Sequence, residues 1–191
     1  MSTAKHDERR RLIANVVMDV ISREGLEAAT VRHIAAEVDC STTVITHYFS
    51  DKRELLLFAY RAHAAYAREQ FEAADVRDAR SFADYLMTMA AYDDLRLAHW
   101  RAYIAIWDTS LRDPDFLTEL RSWSTVSLDR VEYFINQLNA ACPNKREVAR
   151  RLLAIIHGMS IQRLFDEQSW NEASMLETLI QEIDLLALKR G

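Results

Sequence analysis

Only 3 glycines and 2 prolines occur among 191 residues. So few turn-formers argue against many short strands and predict few, long helices. The 2 cysteines, Cys40 and Cys142, stand far apart and belong to no CxxC or Cys/His cluster. That spacing argues against a disulfide framework and cysteine-held zinc, and favours two reduced thiols acting as small apolar side chains. No run approaches the roughly 18 consecutive apolar residues of a membrane span. The opening MSTAKHDERRR is charged and leads into a helix rather than a signal-peptide core. The expectation is a cytoplasmic chain with no membrane partner.

Enzyme signatures are missing too. There is no HExxH, no di-iron Glu-x-x-His pair, no Gly-rich phosphate loop and no GxSxG. The histidines, His6, His33, His47, His63, His99 and His157, are scattered along the chain. Nothing sets a base beside a nucleophile, so no catalytic residue, metal ligand or cofactor is expected. An excess of positive charge is also absent. The formal net charge is −5, and residues 1–53 balance 8 Lys/Arg against 8 Asp/Glu. Phosphate affinity depends on which basic groups face the backbone, however, and Lys5, Arg9, Arg10 and Arg11 gather at one end.

What the chain has is apolar content, half of its residues, at helical spacing. Leu12, Ile13, Val16, Val17, Val20 and Ile21 predict a helix over 7–24, with Gly25 as a left-handed cap. Thr30 can cap a short helix with Val31, Ile34, Ala35 and Val38 inward. Asp39-Cys40 makes a tight break, and Ser41 caps a third helix, TTVITHYF. Asp51, with Glu54 at capping-box spacing, opens a long fourth helix carrying Leu55, Leu56, Phe58, Ala59, Ala62 and Tyr66 toward residue 73. After a charged connection over 73–81, helices are expected at about 81–92, 95–111, 114–139, 145–167 and 171–189. The second of these five carries Leu97, Trp100, Tyr103, Ile104, Trp107 and Leu111 on one side, and Asp113-Pro114 starts the third. The last, with Met175, Leu176, Leu179, Ile180, Ile183, Leu185, Leu186 and Leu188, is apolar on two sides. Such a surface needs a second partner, most simply the last two helices of another copy.

Two short helices around a tight turn, braced by a longer one, make a DNA-reading unit. On the third helix Ile45 and Phe49 anchor, while Thr43, Thr46 and His47 share the opposite face with Thr42, Val44 and Tyr48 beside them. Hydroxyls, an imidazole and a phenol can bond base edges and phosphates, and Val44 can pack on a thymine methyl. Lys52 opposes the helix dipole in a first turn, which is locally unfavourable unless a phosphate binds there; it can equally be a solvated lysine. Thr30 either contacts a phosphate or only caps. Arg32 either reaches the nucleic acid or is ordinary surface charge.

These residues carry a family resemblance. The run TVRHIAAEVDCSTTVITHYFSDKRELL resembles the signature of TetR-type regulators through Thr30, Ile34, Ala35, Ser41, His47, Tyr48, Phe49, Lys52 and Leu55. Two positions depart from it. Asp39 stands where the turn usually has Gly, and Thr43 stands where Gly is common in the recognition helix. Asp tolerates a left-handed backbone, while Thr43 adds a side chain to the DNA face and so alters the expected target. The resemblance implies that Thr42, Thr43, Thr46 and His47 meet bases, and that Thr30, Tyr48 and Lys52 meet phosphates. It also implies an all-α fold: a three-helix helix-turn-helix domain over 1–53, joined by a long helix to a ligand-binding and dimerisation domain over 54–191.

Further along, AYIAIWDTSLRDPDF and IIHGMSIQRLF look like the C-terminal domain of BetI-type repressors, which control choline-to-betaine metabolism. Trp100, Tyr103 and Trp107 sit on adjacent turns of one helix. Trp123, His157 and Met87 come from others that can face them. Such a set suits an apolar ligand or a quaternary cation; the alternative is plain core, with His157 a hydrogen-bonded core histidine. The functional expectation is a repressor that binds double-stranded operator DNA as a homodimer and is released by a small-molecule effector. The rival classes are a small helical enzyme and a helical protein-interaction module.

Overall fold

The scarcity of glycine and proline is realised as long helices. The computed structural model describes residues 3–186, with side chains for all of these except 3–5 and 63–67. Lys5 of the basic cluster, Tyr66 of the fourth-helix stripe and Leu188 of the last helix therefore lie outside the described side chains. Among the described residues the chain is all-α, with helices α1 (Thr3–Glu24), α2 (Val31–Glu37), α3 (Thr42–Tyr48), α4 (Lys52–Ala73), α5 (Ala79–Met87), α6 (Asp94–Ser110), α7 (Pro114–Leu138), α8 (Lys145–Arg163) and α9 (Glu172–Leu185). A 3-10 turn, Leu26–Ala28, joins α1 to α2. No helix of the described residues is long and apolar enough to cross a membrane.

The chain divides into two compact units, Met1–Tyr66 with Ala98–Glu119, and Ala67–Leu97 with Leu120–Gly191. In the first unit the buried residues of α1 are Ile13, Ala14, Val17, Met18, Val20 and Ile21. Leu12, expected in that stripe, is 47 % exposed, because it falls beyond the half-buried Val16 at the edge of the arc that the helix buries. Gly25 does not adopt the expected left-handed cap. Its φ of 87° is paired with a ψ of 169°, an extended conformation essentially reserved for glycine. Thr30 caps α2 as expected, its hydroxyl accepting from the His33 N–H. Asp39 takes the left-handed turn at φ 50°. Ser41 holds the N-cap position of α3 but its side chain makes no capping bond. At α4, Asp51 accepts from the Glu54 N–H at 2.7 Å, while the Glu54 carboxylate reaches back past it to the Ser50 N–H and hydroxyl.

Asp113 closes the α6–α7 turn by accepting from the N–H groups of Asp115 and Phe116. Leu111, expected on the α6 stripe, lies past the end of that helix and is 76 % exposed.

The second unit packs Phe82, Leu86, Val131, Ile135, Leu152, Ile156, Met175, Leu179 and Ile183 into one apolar core. Asp78 and Ser81 form a capping box, which starts α5 at Ala79. The helix ends at Met87 rather than near 92, since the chain tightens through Met89 and Ala90. The Ala91 N–H then donates to the buried Ser160 hydroxyl. The helix α8 stops at Arg163, short of the expected 167. There the guanidinium donates to the Trp170 carbonyl at 2.8 Å and fastens the α8–α9 connection.

Candidate nucleic-acid interface and effector site

The outward side of α3 follows from its two anchors. Ile45 and Phe49, four residues apart, are 0 % and 1 % exposed, so the opposite side of a seven-residue helix must face out. Thr42, Thr43, Thr46 and His47 are exposed there, with Val44 and Tyr48 half-buried at the edges. The Thr46 hydroxyl donates to the Thr43 carbonyl at 3.2 Å, leaving its oxygen as an outward acceptor. Thr30 and Arg32 are likewise exposed, at the start of α2.

Lys52 is more committed than its position in a first turn suggested. Its ammonium donates to the Leu26 carbonyl at 3.1 Å and lies 3.9 Å from Glu27. An ammonium carries three donors, so this tether positions the group without exhausting it. Arg10 turns inward from the basic cluster. Its guanidinium lies over the rings of Phe49 (4.9 Å) and Phe58 (4.3 Å) and 3.4 Å from Glu54. That arginine therefore braces the α3 anchor instead of presenting itself with Arg9 and Arg11. Hydrogen bonds from Ser50 foremost, helped by Arg10, hold the Glu54 carboxyl below the usual range.

One neighbour of this face escaped sequence reasoning. The His6 ring lies 4.7 Å from that of Tyr48 and 6.4 Å from that of His47. It comes from the first turns of α1, and no local spacing could announce a contact across 41 residues.

On α6 the aromatic side chains form a continuous set. Trp100, Tyr103 and Trp107 meet edge to face, with ring centres 5.2–6.2 Å apart. Tyr60 of α4 stacks on Tyr103 at 5.7 Å, nearly parallel, their hydroxyls 3.2 Å apart. Burial raises both phenols above their ordinary pKa. Aromatic faces of this kind are electron-rich and of the type that attracts a cation. Tyr60 was missed because its stripe on α4 reads as ordinary core.

Trp123, His157 and Met87 belong to the second unit. Met87 is buried within its apolar core. Trp123 is half-buried with the Arg130 guanidinium 5.4 Å from its ring centre. Phe71, Tyr85 and Phe134, which sequence reasoning did not single out, form a further aromatic group there. The Tyr85 hydroxyl is buried and has no hydrogen-bond partner among the described residues.

Burial also pushes the His157 imidazole below its usual pKa. Above about pH 6.5 both folded and unfolded forms are neutral here and nothing is lost. As pH falls through that value the unfolded chain takes up the proton first, so folding stability declines until the folded pKa is passed. His157→Gln is expected to flatten this decline, read as the urea midpoint at pH 7.5 against pH 5.5. An equal decline in the variant would place the acid sensitivity elsewhere.

Comparison with known proteins agrees with this geometry. Residues 15–58 match the pattern described as bacterial regulatory proteins, tetR family. Residues 78–188 match that of the BetI-type transcriptional repressor, C-terminal. The HTH-type transcriptional regulator BetI of Burkholderia thailandensis is 28 % identical over 192 residues, 96 % of this chain and 95 % of that protein. Among solved structures, a transcriptional regulator from Rhodococcus sp. Rha1 superposes with a TM-score of 0.83 at 18 % identity, covering 97 % of this chain and 96 % of that one. A putative transcriptional regulator from Saccharomonospora viridis in complex with choline gives 0.82 at 23 % identity, covering 93 % and 96 %. The matched proteins are regulators, not enzymes. With a helix-turn-helix whose third helix has an exposed outer side and a C-terminal region matched over more than half the chain, the protein belongs to the TetR family of transcriptional regulators, with a C-terminal domain of the BetI type.

Proposed function

We propose that the chain is a repressor that binds a palindromic operator as a homodimer and leaves it when a small organic cation binds. The carrying observation is the bare outer side of α3, Thr42, Thr43, Thr46 and His47, above the buried Ile45 and Phe49. In this reading residues 1–53 bind DNA and 54–191 serve ligand binding and dimerisation. Those four side chains and Val44 meet bases, Arg32 reaches a base or phosphate, and Thr30, Tyr48 and Lys52 hold phosphates. A dimer presents two such helices about 34 Å apart, one duplex turn. Pairing through the last two helices is supported by Phe165 and Leu185, large apolar side chains exposed at their ends.

The effector class rests on the ring faces of Trp100, Tyr103 and Trp107, and on the choline complex of the Saccharomonospora relative. Trp123, His157 and Met87 are separate candidates from the other unit. A ligand favouring a different separation of the two reading helices lowers DNA affinity by its differential binding to the two states.

Binding to palindromic duplexes at several salt concentrations tests the interface. Lys52→Ala is expected to weaken all duplexes and reduce the slope of log K against log salt by roughly one. Thr43→Ala or Thr46→Ala is expected to change preference at one operator position about 5- to 150-fold. Equal weakening on every duplex would remove both threonines from the base-reading set. Titration of tryptophan fluorescence with choline and larger quaternary amines tests the effector; silence from all of them, with operator binding intact, would overturn the cation assignment alone.

A further inference from the structure

The corner where α1 meets α2 holds a constellation that DNA reading does not use. Glu24 ends α1, and His33 and Glu37 stand one turn apart on α2. One ligand atom from each of the three lies within 4.8 Å of the others. The His33 Nε2 is 3.4 Å from Glu24 Oε1 and 3.7 Å from Glu37 Oε1. A charge-assisted hydrogen bond would close these gaps to about 2.8 Å; instead Nε2, on a side chain 36 % exposed, is itself shielded and has no hydrogen-bond partner among the described residues.

The spacing suits an ion. Ligand atoms about 2.0–2.2 Å from a tetrahedral zinc stand roughly 3.4 Å from one another. A histidine and a carboxylate at i and i+4 share one helix face, so both can reach the same point. The geometry points to a divalent transition-metal site at Glu24, His33 and Glu37, with water completing the coordination. The electrostatics agree. Among the described residues, Asp19, Glu24 and Glu37 pair with one cation, Arg23, an excess of two negative charges. Arg23 holds Glu37 by Oε2 at 3.0 Å, which leaves Oε1 turned to His33 and fixes the carboxylate as an outer-shell donor does. Its other contact is a competitor, because Nη1 lies 3.5 Å from the Glu24 oxygen facing His33. The imidazole selects zinc or cobalt over magnesium and calcium, which take oxygen ligands. No metal ligand is expected from the sequence alone, because Glu24 and Glu37 flank His33 at separations of 9 and 4 and only the α1–α2 corner makes the three neighbours.

The test uses the full chain stripped by chelator. Zinc is expected to bind one ion per chain and raise the Tm by roughly 5 °C at a hundredfold excess over its Kd, with magnesium inert. Cobalt is expected to report the site by its visible ligand-field absorption. His33→Ala is expected to weaken zinc at least tenfold, and Glu37→Gln, which keeps the shape of the side chain, to do the same if the first variant folds poorly. Arg23→Ala is expected to tighten it several-fold, since a neighbouring positive charge and a competitor for Glu24 are removed. Absence of zinc binding, equal binding of magnesium, or wild-type affinity in both ligand variants would overturn the proposal.

Discussion

Phe49→Ala is expected to cost about 3–5 kcal/mol of folding stability and to abolish operator binding. The ring is fully buried at the end of α3, packed 5.4 Å from Phe58 and covered by the Arg10 guanidinium. Truncation removes the ring's transfer free energy and leaves a cavity between α3 and α4. It also takes one of the two aromatic surfaces on which Arg10 rests, and Arg10 then answers only to Phe58 and Glu54. With Ile45 as sole anchor, the reading helix loses the fixed attitude that phosphate and base contacts require. Urea denaturation followed by circular dichroism measures the first effect, and fluorescence anisotropy with a labelled duplex the second. A loss below about 1 kcal/mol, the level of an unremarkable substitution, would show that Phe49 does not hold α3 down.

The second large effect concerns assembly. Phe165→Glu combined with Leu185→Glu is expected to convert a dimer to monomers and weaken operator binding by about 10²–10⁴. These side chains are 80 % and 77 % exposed in the isolated chain, too open to contribute to its own core, so the monomer should fold. In the proposed dimer, the second reading head would see its half-site at about millimolar effective concentration, and separation would forfeit that gain. Light scattering on the purified proteins gives the state, and duplex titration the affinity. A double variant that remains dimeric would move the interface off the ends of α8 and α9.

Local chemistry was the legible part of the fold. Thr30, Asp51 and Asp113 were readable as caps, because a short acceptor before an apolar-periodic run leaves little else for it to do. Asp39 was readable as a left-handed turn residue for the same reason. The inward attitude of Ile45 and Phe49, and hence the bare face opposite, followed from a spacing of four. Leu12 and Leu111 were misjudged because periodicity gives the direction of a buried stripe but neither its width nor the point where the helix stops. The early end of α5 was hidden because Ser160, which receives the freed Ala91 N–H, lies 69 residues away. Long-range side-chain partners were invisible for that reason throughout, as His6 beside Tyr48 and Arg10 over Phe49 illustrate.

The first turn of α4 bears two adjacent cations tied in different directions. Lys52 grips the Leu26 carbonyl, in the 3-10 turn just ahead of α2. Its neighbour Arg53 holds both oxygens of Asp113, at 2.7 and 2.8 Å, and Asp115 as well. Asp113 is also the cap of α7, and the guanidinium keeps its carboxyl near a pKa of about 2. Asp113 and Asp115 at the α6–α7 corner are therefore tied to Arg53, one peptide bond from the Lys52 that ties α4 to the turn ahead of α2. One dipeptide thus fastens the start of α4 on two sides, and replacing either half would leave one of those ties unmade.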